Sequence, residues 1–157
     1  LYLALGTTIR QAGGRMAFRA GDFTATLAVA TAAMQAGACR IGVVSAMQAD
    51  ARSRIFYNRV KGEVEDALRA LNPQTLVIAR PSVLLGDRTT LQQPTRHAER
   101  IGILLGQALA PLLPANYRPI KADCVAKALT TLLPNEQGIR IVESGELQRF
   151  AEKQTGA

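Results

Sequence analysis

The sequence is poor in aromatic residues and in the residues that usually build metal and thiol chemistry. Its 157 residues include no tryptophan and one histidine, His97, and aromatic side chains make up 4% of the chain. A histidine-rich metal site or a Ser–His triad would depend on His97 alone, and no zinc-ligand spacing is present. Cys39 and Cys124 lie in separate apolar segments rather than in a C-x-x-C pair. We therefore expect no metal, and two buried thiols in a reducing compartment.

Long hydrophobic runs and clustered charge are also scarce. The longest apolar run, 101–110, is too short to span a bilayer and is followed by a proline. The net charge of +7 is scattered, with no basic run longer than two residues, which argues against a nucleic-acid partner. A positive field still suits a phosphate-bearing ligand. We expect a cytoplasmic protein that binds a small-molecule substrate and contacts neither nucleic acid nor membrane.

Apolar segments with two different periods alternate along the chain. Continuous apolar runs predict buried strands, and amphipathic stretches of ten or more residues predict helices. The predicted strands are 1–5, 39–45, 75–79 and 139–142; the helices are 16–36, 54–71, 95–109, 122–133 and 144–150; 9–15 and 80–94 are loops. Strands that alternate with helices form β-α-β units, so we predict one α/β domain with a parallel sheet covered on both faces.

Tyr57 and Lys61 are four residues apart in the second of these helices. At 3.6 residues per turn they share one helix face. An ammonium beside a phenol stabilises the phenolate and lowers the tyrosine pKa, which suits proton exchange with a carbonyl or alcohol oxygen. The alternative is a core aromatic next to a surface lysine paired with Glu65, although Lys before Glu is the weaker order along a helix.

Small and polar residues follow three of the predicted strands. In parallel sheets, ligands bind beyond the carboxyl ends of the strands. The residues at these ends are Gly6, Thr7, Thr8, Ser45, Arg80, Pro81 and Ser82. Their convergence predicts a binding site at this edge of the sheet.

Five segments together resemble the short-chain dehydrogenase/reductase superfamily, and in particular its atypical, extended-type NAD(P)-binding branch. They are A-L-G-T-T at 4–8, V-V-S-A-M-Q-A-D at 43–50, F-Y-N-R-V-K-G-E at 56–63, A-R-P-S-V-L-L-G at 79–86 and A-D-C-V-A-K-A-L at 122–129. The resemblance implies a Rossmann-like, doubly wound parallel sheet.

The glycine-rich phosphate loop of that superfamily, G-x-x-G-x-x-G, has no counterpart in this sequence. Gly13 and Gly14 follow what resembles the family's fourth strand, so the first three strands are missing. Either residues precede Leu1, or the protein cannot hold a dinucleotide in the family's way. We expect residues 1–157 to be the C-terminal portion of an NAD(P)-binding domain.

The resemblance assigns catalytic roles to three residues. Tyr57 would be the acid/base on the substrate oxygen, and Lys61 would lower its pKa and hold the nicotinamide ribose. Ser45 would orient the substrate carbonyl. Relatives often have a second serine where this chain has Ala46. Ser45 is therefore either the surviving catalytic hydroxyl or a structural residue at a strand end.

The resemblance also implies a cofactor-binding set at the strand ends. Besides Tyr57 and Lys61, this set comprises Gly6, Thr7, Thr8, Arg80, Pro81, Ser82 and Val83. Residues 6–8 would lie beside the cofactor's ribose; the alternative is a plain turn at the end of the strand. Residues 80–83 would place their backbone beside the nicotinamide carboxamide, and the alternative for Arg80 is a structural role. The cofactor is NAD or NADP, and the residues that decide between them are not in this sequence.

Two functions follow from these residues. The first is an NAD(P)-dependent oxidoreductase that transfers a hydride between nicotinamide and a small carbonyl or alcohol substrate. The alternative is a dinucleotide-binding regulatory or scaffold protein with little or no turnover, which the departure at Ala46 favours. A homodimer is compatible with either function.

Overall fold

The computed structural model describes residues 1–85 and 114–152 of the chain. Its strands are β1 (Tyr2–Leu3), β2 (Arg40–Val44), β3 (Thr75–Arg80), β4 (Leu84–Leu85), β5 (Ile120–Lys121) and β6 (Gly138–Glu143). Its α-helices are α1 (Ile9–Ala12), α2 (Arg15–Arg19), α3 (Thr26–Gln35), α4 (Phe56–Ala70), α5 (Ala122–Leu132) and α6 (Ser144–Glu152). A π-helical segment, Ala20–Ala25, joins α2 to α3, and Ala115–Tyr117 form a 3₁₀ turn.

Four strands form one parallel sheet in the order β1-β2-β3-β6. Ile41 of β2 lies opposite Leu76 of β3, and Ile78 of β3 lies opposite Ile141 of β6. The middle of β3 is fully buried, as expected for a parallel strand covered on both faces. The predicted Rossmann-like parallel sheet is confirmed.

Helices cover the two faces of this sheet with separate hydrophobic clusters. On one face, Ala30 of α3 and Val64 and Leu68 of α4 pack with strand residues such as Ile41. On the other face, α5 and α6 pack against β3 and β6, with Leu147 among their fully enclosed side chains. The connections through α3 and α4 thus place the start of α4 above the carboxyl ends of β1 and β2.

The segment between β1 and β2 differs from the sequence prediction. Residues 9–15 were expected to form a loop, but Ile9–Ala12 is a helical turn because Thr8 Oγ1 accepts a hydrogen bond from the Gln11 amide at 3.2 Å. The predicted helix 16–36 widens into the π-helical segment instead of running on as one α-helix. The short parallel pair of β4 with β5 was not predicted, and the predicted helix 95–109 lies outside the described residues.

The two cysteines have different environments. Cys124 is buried, as predicted, but the prediction for Cys39 is wrong because this residue is exposed just before β2. Its apolar neighbours belong to the strand that follows, and the strand begins only at Arg40. Within the described ranges, no helix has the length and apolar character needed to cross a membrane. His97 lies outside them.

Candidate functional site

The predicted site residues all lie at the carboxyl edge of the parallel sheet. Gly6, Thr7 and Thr8 follow β1, Ser45 follows β2, and the segment 80–83 ends and follows β3. α4 crosses this edge and carries Tyr57 and Lys61. The structure divides these residues into two groups, one around Lys61 and one around Glu65.

Lys61 lies in a buried ion pair. Its side chain is 7% exposed, and Nζ contacts Oδ1 of Asp22, whose side chain is fully enclosed. The second carboxylate oxygen, Oδ2, accepts a hydrogen bond from the Thr7 amide at 3.2 Å. A Cβ placed on Gly6 would lie 3.7 Å from Lys61 Nζ, so the β1 loop passes directly beside the ammonium. Thr7, Asp22 and Lys61 therefore form one connected unit.

Tyr57 is half-buried beside this unit. Its ring packs on the fully buried ring of Phe18, with centroids 5.4 Å apart, and Lys61 Nζ lies 6.0 Å from the Tyr57 centroid. Burial, and secondly the Asp22 carboxylate, raise the pKa of Tyr57 above its usual value of 10.0. This pKa direction is opposite to the one expected from the sequence, because burial disfavours the charged phenolate and the Asp22 carboxylate adds to that effect.

Ser45 belongs to the second group. Its hydroxyl donates a 2.6 Å hydrogen bond to Oε1 of Glu65, a residue with no exposed surface. Arg80 contacts both oxygens of the same carboxylate, with Nε at 3.0 Å and a terminal nitrogen at 2.7 Å. Arg69 reaches Oε2 at 3.1 Å. The Ser45 hydroxyl proton is thus directed at a buried ionic network.

Arg80 connects three elements of the fold. Besides Glu65 on α4, its guanidinium donates to Glu143 at the end of β6, at 3.3 Å. The hydrogen bonds that Arg80 donates to Glu65, and then the charges of both carboxylates, raise the pKa of Arg80 further above its usual value. Its contacts are therefore those of a structural cross-link, the alternative that the sequence left open.

The segment after β3 is fixed by contacts to its neighbours. The Pro81 carbonyl accepts from the Met47 amide at 3.0 Å, and the Val83 carbonyl accepts from the Ile120 amide at 2.9 Å. Ser82 Oγ accepts from the Ser144 hydroxyl at 3.0 Å. Val83 itself is exposed. These backbone carbonyls already have protein partners at the edge where the resemblance places the carboxamide.

Sequence reasoning missed Asp22 and misplaced Glu65. The sequence alone assigns no role to Asp22; its signal is an acid next to Gly21 within an apolar helix, in the segment that becomes π-helical. Glu65 was considered a surface partner of Lys61. Instead it is buried one turn further along the same face and pairs with arginines, while Lys61 pairs with Asp22.

A cleft of about 430 Å³ lies between α4 and the loop 49–52. It is bordered by Asp50, Arg52, Gly62, Glu65, Asp66, Arg69 and Arg80, so acids and arginines balance, and neither Tyr57 nor Lys61 lines it. Among the side chains of 1–85 and 114–150, no three His, Cys, Asp or Glu residues group as metal ligands would.

These elements define a Rossmann-like α/β protein, the fold type of NAD-binding oxidoreductases. The chain is similar in structure to the Bordetella bronchiseptica enzyme WbmG, solved in complex with NAD, with a TM-score of 0.56 and 15% identity. The match covers 99% of this chain and 56% of WbmG. At this identity the likeness shows the fold alone, which is the Rossmann-like α/β fold expected from the sequence.

In sequence, the chain is similar to fungal proteins named FMP52, mitochondrial. It is 35% identical to the Eremothecium gossypii protein over 158 residues, covering 93% of this chain and 66% of that protein. It is 31% identical to the Meyerozyma guilliermondii protein over 153 residues, covering 96% and 66%. The chain thus spans just under two thirds of the length of these relatives. No protein-family model matches it.

The names of these relatives correct the expected location. We predicted a cytoplasmic protein, and the similar proteins are designated mitochondrial, which shows that prediction to be wrong. Free thiols report a reducing environment, whereas cellular address depends on signals that receptors read. Composition alone therefore had no means of distinguishing the two compartments.

Proposed function

We propose that this chain carries the nicotinamide-side and substrate-side part of an NAD(P)-dependent oxidoreductase acting on small carbonyl or alcohol substrates. The observation that carries the proposal is the placement of Tyr57 and Lys61 on one face of α4, at the carboxyl edge of the sheet, with Lys61 beside Gly6 and Thr7. When bound, the dinucleotide supplies or accepts the hydride. The names of the relatives favour a mitochondrial location.

The residues around Lys61 suit the ribose end of such a cofactor. An ammonium has three donors, and Lys61 Nζ lies where the glycine at position 6 leaves the backbone open to close approach. Gly6 and Thr8 are exposed at this edge, so both can face a ligand. The residues that would hold the pyrophosphate are not among those described. The described residues therefore account for contacts to the nicotinamide end of the cofactor only.

Tyr57 is suited to give a proton to the substrate oxygen. Because its pKa is raised, the phenol is protonated at neutral pH and can act as a general acid in carbonyl reduction. Alcohol oxidation needs the phenolate, so that direction should require more alkaline conditions. Partial burial against Phe18 keeps water from one face of the ring.

A second candidate function is a dinucleotide-binding regulatory or scaffold protein with little turnover. The specific observation in its favour is that the Ser45 hydroxyl donates to Glu65, while Ala46 supplies no hydroxyl at the next position. In the oxidoreductase proposal, Ser45 must turn away from Glu65 to reach a substrate oxygen. In the regulatory proposal it stays where it is.

The deciding experiment uses the full-length protein with NADH and NADPH, measuring binding by calorimetry and turnover on a panel of carbonyl compounds. Tyr57→Phe should lower kcat by about 100-fold or more, the usual contribution of a general acid, with cofactor Kd nearly unchanged. Tyr117→Phe is the matched control, since Tyr117 lies exposed in the 3₁₀ turn. Lys61→Ala should weaken both turnover and cofactor binding.

The outcomes separate the two candidates. Full turnover by Tyr57→Phe on a verified substrate would overturn the acid/base role. Tight cofactor binding by the wild-type protein without turnover on any compound of the panel would favour the regulatory function. Ser45→Ala adds a further criterion: a loss in kcat supports a catalytic hydroxyl, whereas a lower melting temperature with unchanged kcat supports the contact to Glu65.

A further inference from the structure

The Asp22 carboxylate is a buried charged group to which the proposed mechanism assigns no role. It comes from the π-helical segment, and both of its oxygens are engaged, one by Lys61 Nζ and the other by the Thr7 amide. Only 1% of Asp22 is exposed. π-helical segments are rare and frequently lie at functional sites. Here the segment turns an acid inward at the point where Lys61 and Tyr57 meet.

The charges around Tyr57 can be assigned element by element. On α4 itself the neighbour is Lys61, and from the π-helical segment it is Asp22. From α2, Phe18 presents only its ring, while the two arginines of that helix contact other side chains. Arg15 lies over the Phe56 ring, and Arg19 pairs with Glu63 and lies over the Phe23 ring. Asp22 is thus the carboxylate paired with the ammonium that lies beside Tyr57, and its charge acts on the Tyr57 phenol in the direction of a raised pKa.

We propose that Asp22 is a positioning residue for the oxidoreductase reaction: it fixes Lys61 Nζ between the β1 loop and Tyr57, and its negative charge offsets the ammonium that would otherwise stabilise the phenolate. The reaction part of this inference rests on the proposed function. The electrostatic part, that Asp22 influences the ionisation of Tyr57, rests on the ion pair of Asp22 with Lys61 and on the 6.0 Å approach of Lys61 Nζ to the Tyr57 ring. It favours carbonyl reduction over alcohol oxidation at neutral pH.

The test is a direct titration of Tyr57 in the full-length protein with ¹³C-labelled tyrosine, followed by NMR from neutral to strongly alkaline pH. Tyr57→Phe identifies the resonance. Asp22→Asn keeps the shape of the side chain and an oxygen for the Thr7 amide, but removes the charge. We expect the Tyr57 midpoint to move to lower pH in Asp22→Asn. The matched control is Asp66→Asn, which removes an exposed acid from α4 and should leave the midpoint unchanged.

A purely structural role for Asp22 would lower the melting temperature without moving the Tyr57 midpoint, and that result would overturn the inference. If Asp22→Asn does not fold because Lys61 is left unpaired, the comparison becomes Lys61→Gln against Asp22→Asn/Lys61→Gln. Neither of these holds an unpaired ammonium; in Lys61→Gln the Asp22 carboxylate keeps the Thr7 amide as a donor and can accept from the glutamine NH₂ group. The double variant must titrate Tyr57 at lower pH than the single one. Equal midpoints would refute the inference.

The titration needs no substrate, so it fails or succeeds separately from the proposed function. A shifted midpoint in Asp22→Asn together with full turnover in Tyr57→Phe would keep the electrostatic link and discard the reaction. Where turnover is established, the alkaline limb of the kcat/KM profile for carbonyl reduction should move to lower pH in Asp22→Asn and stay in place in Asp66→Asn. A profile that does not move would remove the positioning role.

Discussion

Replacing Glu65 with glutamine should be the most damaging isosteric change at the candidate site. Its carboxylate accepts hydrogen bonds from Ser45, from two nitrogens of Arg80 and from Arg69, and the residue has no exposed surface. Glutamine keeps the shape of the side chain but loses its charge. Its NH₂ group replaces one carboxylate oxygen and so faces the groups that donate to Glu65. At least one guanidinium contact must then be lost, because two donors cannot bond to each other.

The size of the effect follows from the burial of the partners. Removing one member of a buried ion pair costs about 3–5 kcal/mol. Arg80 remains 19% exposed and still has Glu143 at 3.3 Å, so its charge is partly compensated. We therefore expect a loss near the lower bound, about 3 kcal/mol in the free energy of unfolding. For a protein of this size, that corresponds to a fall in Tm of about 6–12 °C.

The assay is urea denaturation of the full-length protein, with the midpoint and slope compared for wild type, Glu65→Gln and Asp66→Asn. Asp66 is the next residue on α4, is 63% exposed and contacts Arg69, so its substitution should change stability by less than about 0.5 kcal/mol. If Glu65→Gln is no more destabilised than this control, the Glu65 network does not hold α4 to the sheet as we argue.

Two further results are expected. Gly62→Ala should lower the free energy of unfolding in urea by about 1–3 kcal/mol despite the helix propensity of alanine, because its Cβ would lie 2.1 Å from the Ala51 backbone nitrogen. The control is Gly21→Ala, which has open space around it and should be neutral or stabilising. Equal effects of the two substitutions would contradict the packing argument. The raised pKa of Tyr57 means that folding favours the protonated phenol, so this contribution is present below about pH 10 and is lost as pH rises through the folded-state pKa. The free energy of unfolding of Tyr57→Phe should consequently fall less steeply above about pH 10 than that of the wild type, and parallel curves would show that burial of Tyr57 has no such effect.

The sheet was predictable because its signals are local. The run 76–79 is apolar throughout, which indicates a strand covered on both faces, and the structure buries it completely. The amphipathic stripe of α4 is similarly local, and Val60, Val64 and Leu68 are buried as the periodicity predicts. The π-helical segment was not predictable, since no local pattern distinguishes a widened turn from an α-helix around Gly21 and Asp22.

The spacing of Tyr57 and Lys61 was also readable, but their charge environment was not. Asp22 lies 39 residues before Lys61 in the chain, and only the packing of the π-helical segment on α4 brings the two side chains together. An amphipathic pattern places charged residues on the solvated face by default. Glu65 departs from that default. Its buried carboxylate is stabilised by the guanidinium of Arg80, which belongs to β3, the strand that follows α4 in the chain.

α4 therefore presents two opposite charges one turn apart on its buried side, and they do not neutralise each other. A Lys61–Glu65 pair would run in the less favourable order along the helix. Arg80 offers Glu65 a bidentate guanidinium contact, and Asp22 offers Lys61 a carboxylate held by the Thr7 amide. Each charge is consequently satisfied by a different element, Glu65 by the sheet and Lys61 by the π-helical segment. The ion pair between Glu65 and Arg80 anchors α4 to the sheet. The ion pair between Lys61 and Asp22 holds the π-helical segment against α4, beside Tyr57. That division explains why a change at Glu65 should appear in stability and a change at Asp22 in the ionisation of Tyr57.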